Sequence, residues 1–218
     1  MPLFELQNAS AAYNGAAVLH DITLSIDAGE RVALIGKSGA GKSTLLNLLY
    51  RQHENDAALV PQELGLVQAL SVFHNIFMGR LHRRGTIYNV VNLLRPMRRE
   101  VASVTPIAER LGLLDKLFTP IGELSGGQQQ RTAIGRAIFK ASPIFLGDEP
   151  VSAVDEQKSR DVMRQIVDGH ETVVLSMHDV RLAVEFASRV IGLRDGRIVL
   201  DRPTSGITAS DLDDLYRG

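Results

Sequence analysis

The chain has 218 residues, with 24 Lys plus Arg against 25 Asp plus Glu, and no cysteine. That length suits one core, or a core with a subdomain, and the balanced charge lacks the basic footprint of a dedicated nucleic-acid binder. The missing thiols exclude disulfides, thiolate catalysis and Cys-based zinc sites, and fit a reducing cytoplasm.

Residues 3–6 and 22–26 ("ITLSI") alternate apolar and polar positions as half-buried strands do, and "DAGE" after Ile26 is turn chemistry. "VALIG" at 32–36 is apolar throughout, as a strand covered on both faces is, and a Gly-rich loop then leads into the helical run "STLLNLLY". Residues 64–134 carry helical spacing with few strand signals and read as a helical insert. From residue 143 strand and helix alternate: "PIFLGDEP", a helix over about 155–168, "TVVLSMHD", a helix over about 179–189, and a hairpin "VIGLRDGRIVL" whose Asp195-Gly196 suits a type I′ turn. This alternation predicts an α/β fold with a largely parallel sheet. No basic segment followed by an apolar core opens the sequence, and no apolar run reaches the roughly 18 residues that span a bilayer. The expectation is a chain that reaches a membrane only through a partner.

Gly36, Lys37, Ser38, Gly39, Ala40, Gly41, Lys42 and Ser43, followed by Thr44, fit G-x-x-x-x-G-K-[ST] between an apolar strand and a helix. Glycines let successive N–H groups converge on phosphate oxygens at a helix N-terminus. Lys42 supplies a point charge for the β- and γ-phosphates, and Ser43 a hydroxyl for Mg²⁺. The loop therefore predicts a nucleoside triphosphate with its magnesium. Asp148, at the carboxyl end of a strand, is the expected Mg²⁺ carboxylate. Glu149, pointing the other way along an extended chain, would address a water in line with the γ-phosphate as general base. The alternative is an exposed acidic turn before Pro150. Gly147, where a bulky residue would end a buried strand, suggests a close backbone approach. A second anion-accepting element is "LSGGQQQR": Ser125, Gly126 and Gly127 ahead of a helix form an N-cap and nest, the alternative being an ordinary helix cap.

In this order the motifs resemble the ATP-binding cassette family, the ATPase subunits of ABC transporters, across almost the whole chain. The resemblance implies a P-loop NTPase (RecA-like) core over about 1–63 and 135–218, with a helical subdomain over about 64–134. It implies that Tyr13 stacks on adenine, that Gln62 is the glutamine reaching the metal and the catalytic water, that Asp155 ends the loop "SAVD", and that His178 contacts the γ-phosphate. Gln68 is the rival to Gln62 by residue type, and the spacing from Gln62 to "LSV" at 70–72 favours Gln62. Ser125, Gly126, Gly127 and Gln128 become the family signature, which in a head-to-tail homodimer serves the nucleotide of the other copy.

Between Thr44 and Gln62 the segment is shorter than the family's, so the antiparallel subdomain should be trimmed. The stretch from Asn75 through Glu100 and the C-terminal tail are similar to the ATPases of phosphonate importers. Arg80, Arg83, Arg84, Arg98 and Arg99 there fit either a solvated face or a surface docking on a permease. The implied function is ATP hydrolysis powering a separate permease, and indirectly a substrate-binding protein, from the inner face of the cell membrane. A soluble cassette acting in DNA repair or on the ribosome would carry a long insertion or a second cassette. A P-loop kinase would need an acceptor lid and no signature.

Overall fold

The structure, a computed structural model, describes residues 2–13, 16–208, 211 and 215. The chain opens with a long antiparallel hairpin of β1 (Phe4–Tyr13) and β2 (Ala16–Ile26). Sequence alternation caught only its outer ends, because the register shifts between Leu6 and Ala12 break the two-residue period. Then come β3 (Arg31–Ile35), α1 (Lys42–Gln52) and β4 (Ala57–Val60). The helical segment holds α2 (Val72–Phe77), α3 (Thr86–Leu94), α4 (Arg98–Arg110) and α5 (Gly126–Lys140), joined by turns of 3₁₀ helix. The remainder alternates as β5 (Ile144–Asp148), α6 (Glu156–Gly169), β6 (Thr172–Ser176), α7 (Val180–Phe186), β7 (Arg189–Arg194) and β8 (Arg197–Pro203).

Six strands form one sheet in the order β4-β5-β6-β3-β7-β8, parallel except for β8. β4 was not expected: four residues, "AALV", between Asp56 and Pro61, give too short a signal to separate a strand from the end of a helix. Successive residues of the inner strands feed opposite cores. Ala33, Ile35, Phe145 and Val173 pack with Phe73, Ile134 and Met163 of the helical side. Val32, Leu34, Leu146 and Val174 pack with Phe4, Leu19, Leu45 and Leu49 on the side of the hairpin and α1. Burial on both faces is why these strands read as apolar runs.

α5 crosses residue 134 without a break, so one rigid helix belongs to both the helical segment and the core. Among the described residues, the antiparallel sheet separate from the core is the two-stranded β1-β2 hairpin. The β7–β8 turn has Asp195 and Gly196 at φ 48° and 71°, the type I′ signs. Gly196 is doubly constrained, since a Cβ there would lie 2.2 Å from the Val18 carbonyl oxygen. Among the described residues no helix is long and apolar enough to cross a membrane.

Candidate functional site

Four strands adjacent in the sheet, β4, β5, β6 and β3, run parallel, and their carboxyl ends make one edge where open α/β sheets bind ligands. Each delivers a polar segment to that edge. After β3 the chain passes through residues 36–41 into α1, so the loop sits at a helix N-terminus. A Cβ at Gly36 would lie 2.2 Å from the Leu193 carbonyl oxygen, and Gly41, at φ 101°, would press one onto Leu19. Neither position admits a side chain. Lys37, Ser38 and Gly39 are exposed, Ala40 is buried, and Ser43 and Thr44 are half-buried in the first turn of α1.

Lys42 is only 6% exposed, and its Nζ donates to the carbonyls of Gly36 (2.8 Å) and Lys37 (3.0 Å). Burial pulls its pKa below the ordinary lysine value, while the charges of Glu149 and Asp148 act in the other direction. The ammonium and both carboxylates therefore share one electrostatic site.

Asp148 is buried at the end of β5, in register with Ser176 of β6, whose hydroxyl donates to Asp148 Oδ1. Glu149 departs from the extended conformation expected of it. Its φ is 51°, because the strand ends at Asp148 and the backbone turns left-handed. Such a conformation costs about 1 kcal/mol or more and persists where neighbours over-determine it. Here the Glu149 N–H donates to Ser176 O (3.1 Å) and Oγ (3.2 Å), and the Glu149 carbonyl accepts from Gln130 Nε2 (2.7 Å). The turn brings Glu149 Oε1 to 2.6 Å from His178 Nε2, just beyond β6. A cavity of about 400 Å³ opens beside this pair, lined also by Ser152, Asp179 and Arg181. Gly147 reflects side-chain packing rather than the backbone approach expected: a Cβ there would meet Phe145, Leu175 and Pro150 at 2.9–3.2 Å.

Gln62 follows β4, whose Val60 lies opposite Gly147, so it emerges at the same edge. Gln68 lies elsewhere, its carbonyl accepting from Gly122 N–H at 3.0 Å. Tyr13 ends β1, and its side chain lies outside the described residues. Asp155 N-caps α6, accepting from Lys158 N–H at 3.0 Å, and this bond holds its carboxyl below the usual range.

The signature turn has other neighbours than the loop at residues 36–44. Ser125 caps α5 in a reciprocal box with Gln128, Ser125 N–H donating to Gln128 Oε1 (2.9 Å) and Gln128 N–H to Ser125 Oγ (3.4 Å). Ser125 and Gly126 are exposed, and a Cβ at Gly127 would lie 2.5 Å from the Ala153 carbonyl oxygen. The turn thus packs on residues 152–154 of its own chain.

Sequence reasoning missed Ser176 and Gln130. Ser176 carried a signal, a hydroxyl closing the apolar strand "TVVLS". Gln130 was hidden in a run of three glutamines, of which only it is fully buried. Among the described residues no group of three or more His, Cys, Asp or Glu could hold a metal. The available donors, the Ser43 hydroxyl, the Asp148 carboxylate and the Gln62 amide, are hard oxygens that suit Mg²⁺ shared with phosphates.

Residues 19–152 match the family model described as ABC transporter. The phosphonates import ATP-binding protein of Lactobacillus gasseri is 36% identical over 247 residues, covering 100% of this chain and 94% of that protein. Its namesake in Rhizobium etli is 32% identical, covering 98% and 86%. A dimeric post-hydrolysis ATP-binding cassette bound to ADP and Pi superposes with TM-score 0.78 at 26% identity, covering 93% of this chain and 99% of that one.

Proposed function

Because the chain belongs to the ABC transporter family and is an ATP hydrolase, we propose that two copies pair head to tail and power a separate membrane permease that imports phosphonates. Each ATP would lie between the phosphate loop of one copy and the signature of the other. The observation that carries this reading is that two anion-accepting elements of one chain have different neighbours: the phosphate loop, Asp148, Glu149 and His178 share an edge, while the turn after Ser125 packs through Gly127 on residues 153–154. One chain holds half of each site.

In this reading the backbone N–H groups of residues 36–44 and the Lys42 ammonium bind the β- and γ-phosphates. Tyr13 supplies the aromatic surface for adenine. Ser43 and Asp148, with Gln62, would hold Mg²⁺, which when bound neutralises charge on the phosphates. Glu149 accepts the proton of a water attacking the γ-phosphorus, the bond to the bridging oxygen breaks, and ADP and phosphate leave. His178, at 2.6 Å from Glu149, positions that carboxylate and meets the γ-phosphate. The partner's N-terminal turn of α5 closes over the same phosphate. ATP favours the closed pair and hydrolysis removes that preference, a population shift for the permease to use. The phosphonate part rests on the names of the relatives; in this reading the chain would sit peripherally at the inner face of the cell membrane, with a substrate-binding protein outside.

The test mixes a Lys42→Ala chain with a Ser125→Arg chain. The mixed pair retains one intact composite site, so ATP-dependent pairing and turnover should return where each variant alone has neither. An inactive mixture beside an active wild type rejects the shared site. Growth on a phosphonate as sole phosphorus source, lost when Lys42→Ala replaces the native chain, tests the cargo.

A further inference from the structure

The side chain of Gln130 is 5% exposed in α5, one turn beyond the signature, yet none of its bonds belong to that helix. Its Nε2 donates to the Glu149 carbonyl at 2.7 Å and to Ser152 Oγ at 3.2 Å. Its Oε1 accepts from Ala153 N–H at 2.8 Å. Both amide hydrogens and one carbonyl lone pair are thus spent on the segment that follows β5. The same segment is pressed against the first turn of α5, where Gly127 leaves no room between its Cα and the Ala153 carbonyl. Glu149, in its left-handed conformation, has its N–H fixed by Ser176, and its carbonyl accepts from Gln130 Nε2 and, at the longer distance of 3.2 Å, from Ser152 N–H. The signature turn and Glu149 are therefore two ends of one hydrogen-bonded block.

We propose that Gln130 is a positioning residue that sets Glu149 according to whether the signature of its own chain has closed on the partner's ATP. The inference rests on the head-to-tail reading above, in which Ser125–Gln128 attend the partner's nucleotide. A displacement of α5 on closure is transmitted through Nε2 to the backbone of Glu149, whose carboxylate sits 2.6 Å from His178 in the other composite site. Each site then reports its occupancy to the second through a single amide. The coupling is carried by contacts with two possible arrangements, bonded and released, rather than by proximity alone.

Two variants test it. Gln130→Met keeps the length and removes every bond, and Gln130→Glu keeps the acceptor for Ala153 N–H while losing both donors. Turnover against ATP concentration, ATP binding by the single chain, and ATP-driven pairing in a Glu149→Gln background are measured for each. The expected result is a fall in kcat of about tenfold or more at unchanged KM. Chain pairing should be retained, and the Hill coefficient should drop to roughly 1 from a wild-type value above it. A role in packing alone would instead lower the melting temperature and impair nucleotide binding and pairing together. If Gln130→Met does not fold, Gln130→Glu carries the same readouts. Wild-type kcat and steepness in either folded variant overturn the proposal, as does a wild-type Hill coefficient of 1. A wild-type chain that neither pairs nor hydrolyses ATP would instead reject the head-to-tail reading beneath it.

Discussion

Glu149 owes its place to its neighbours rather than to its own conformational preference. Ser176 and Gln130 hold its backbone, and His178 meets its carboxylate at 2.6 Å. Replacing Glu149 with Gln keeps the shape and removes the proposed proton acceptor. ATP binding should persist, turnover should fall by about a hundredfold or more, and ATP-bound pairs should accumulate on gel filtration. Monomers with undiminished turnover would remove Glu149 from the mechanism. The identity of Asp148 and Glu149 as a pair was legible in the sequence, since two charges directly after an apolar strand have few other uses. The left-handed turn at Glu149 was not, because Gln130 and Ser176, which help to hold it, lie 19 residues earlier and 27 residues later in the chain.

At the scale of elements, α3 is inverted. Ile87, Val90, Val91 and Leu94 recur at helical spacing on one face and are 83%, 49%, 45% and 81% exposed. The inward side chains are polar. Asn92 is fully buried and accepts from Met97 N–H at 2.8 Å, and Tyr88 donates to Glu100 at 2.7 Å. Arg83, Arg84, Arg95, Arg98 and Arg99, which flank α3 in the chain, are exposed. Covering Ile87 and Leu94 would contribute about 2 kcal/mol each, more than the 0–1 kcal/mol of a typical surface ion pair. The stripe is thus the stronger candidate for the permease contact than the arginines. An Ile87→Asp, Leu94→Asp chain should hydrolyse ATP at the wild-type rate in isolation and fail to co-purify with a phosphonate-type permease. Co-purification at wild-type yield would clear α3 of that role. Sequence spacing located these apolar residues but could not tell which face of the helix meets the core, since an apolar stripe ordinarily does.

For the whole molecule, pH dependence follows from two histidines that the site does not use. His170 is buried against Phe145, its Nδ1 2.7 Å from the Ile166 carbonyl oxygen, and His74 is half-buried beside Ser71. Burial lowers both pKa values below the ordinary value for histidine. The unfolded chain therefore binds more protons than the folded one once pH falls below about 6.5, and stability should decline from there until the folded groups protonate as well. Melting temperature should drop between pH 7.5 and 5.5, and a His170→Gln, His74→Gln chain should lose part of that slope. An unchanged slope in the double variant would assign the acid response to other groups.

The sequence by itself determined the α/β class, the phosphate loop, the acidic pair after β5 and the capped signature helix, because each is a local pattern whose chemistry needs only residues within a turn or a strand of one another. Only the tertiary structure decided what lies between them. Parallel pairing of β4, β5, β6 and β3 brings Gln62, Asp148, His178 and Lys42 to one edge from segments far apart in the chain. Packing of α5 on residues 152–154, through Gly127 and Gln130, ties the first turns of the signature helix to Glu149. Those relations depend on which buried amide meets which carbonyl across the fold, and no periodicity along the chain records that.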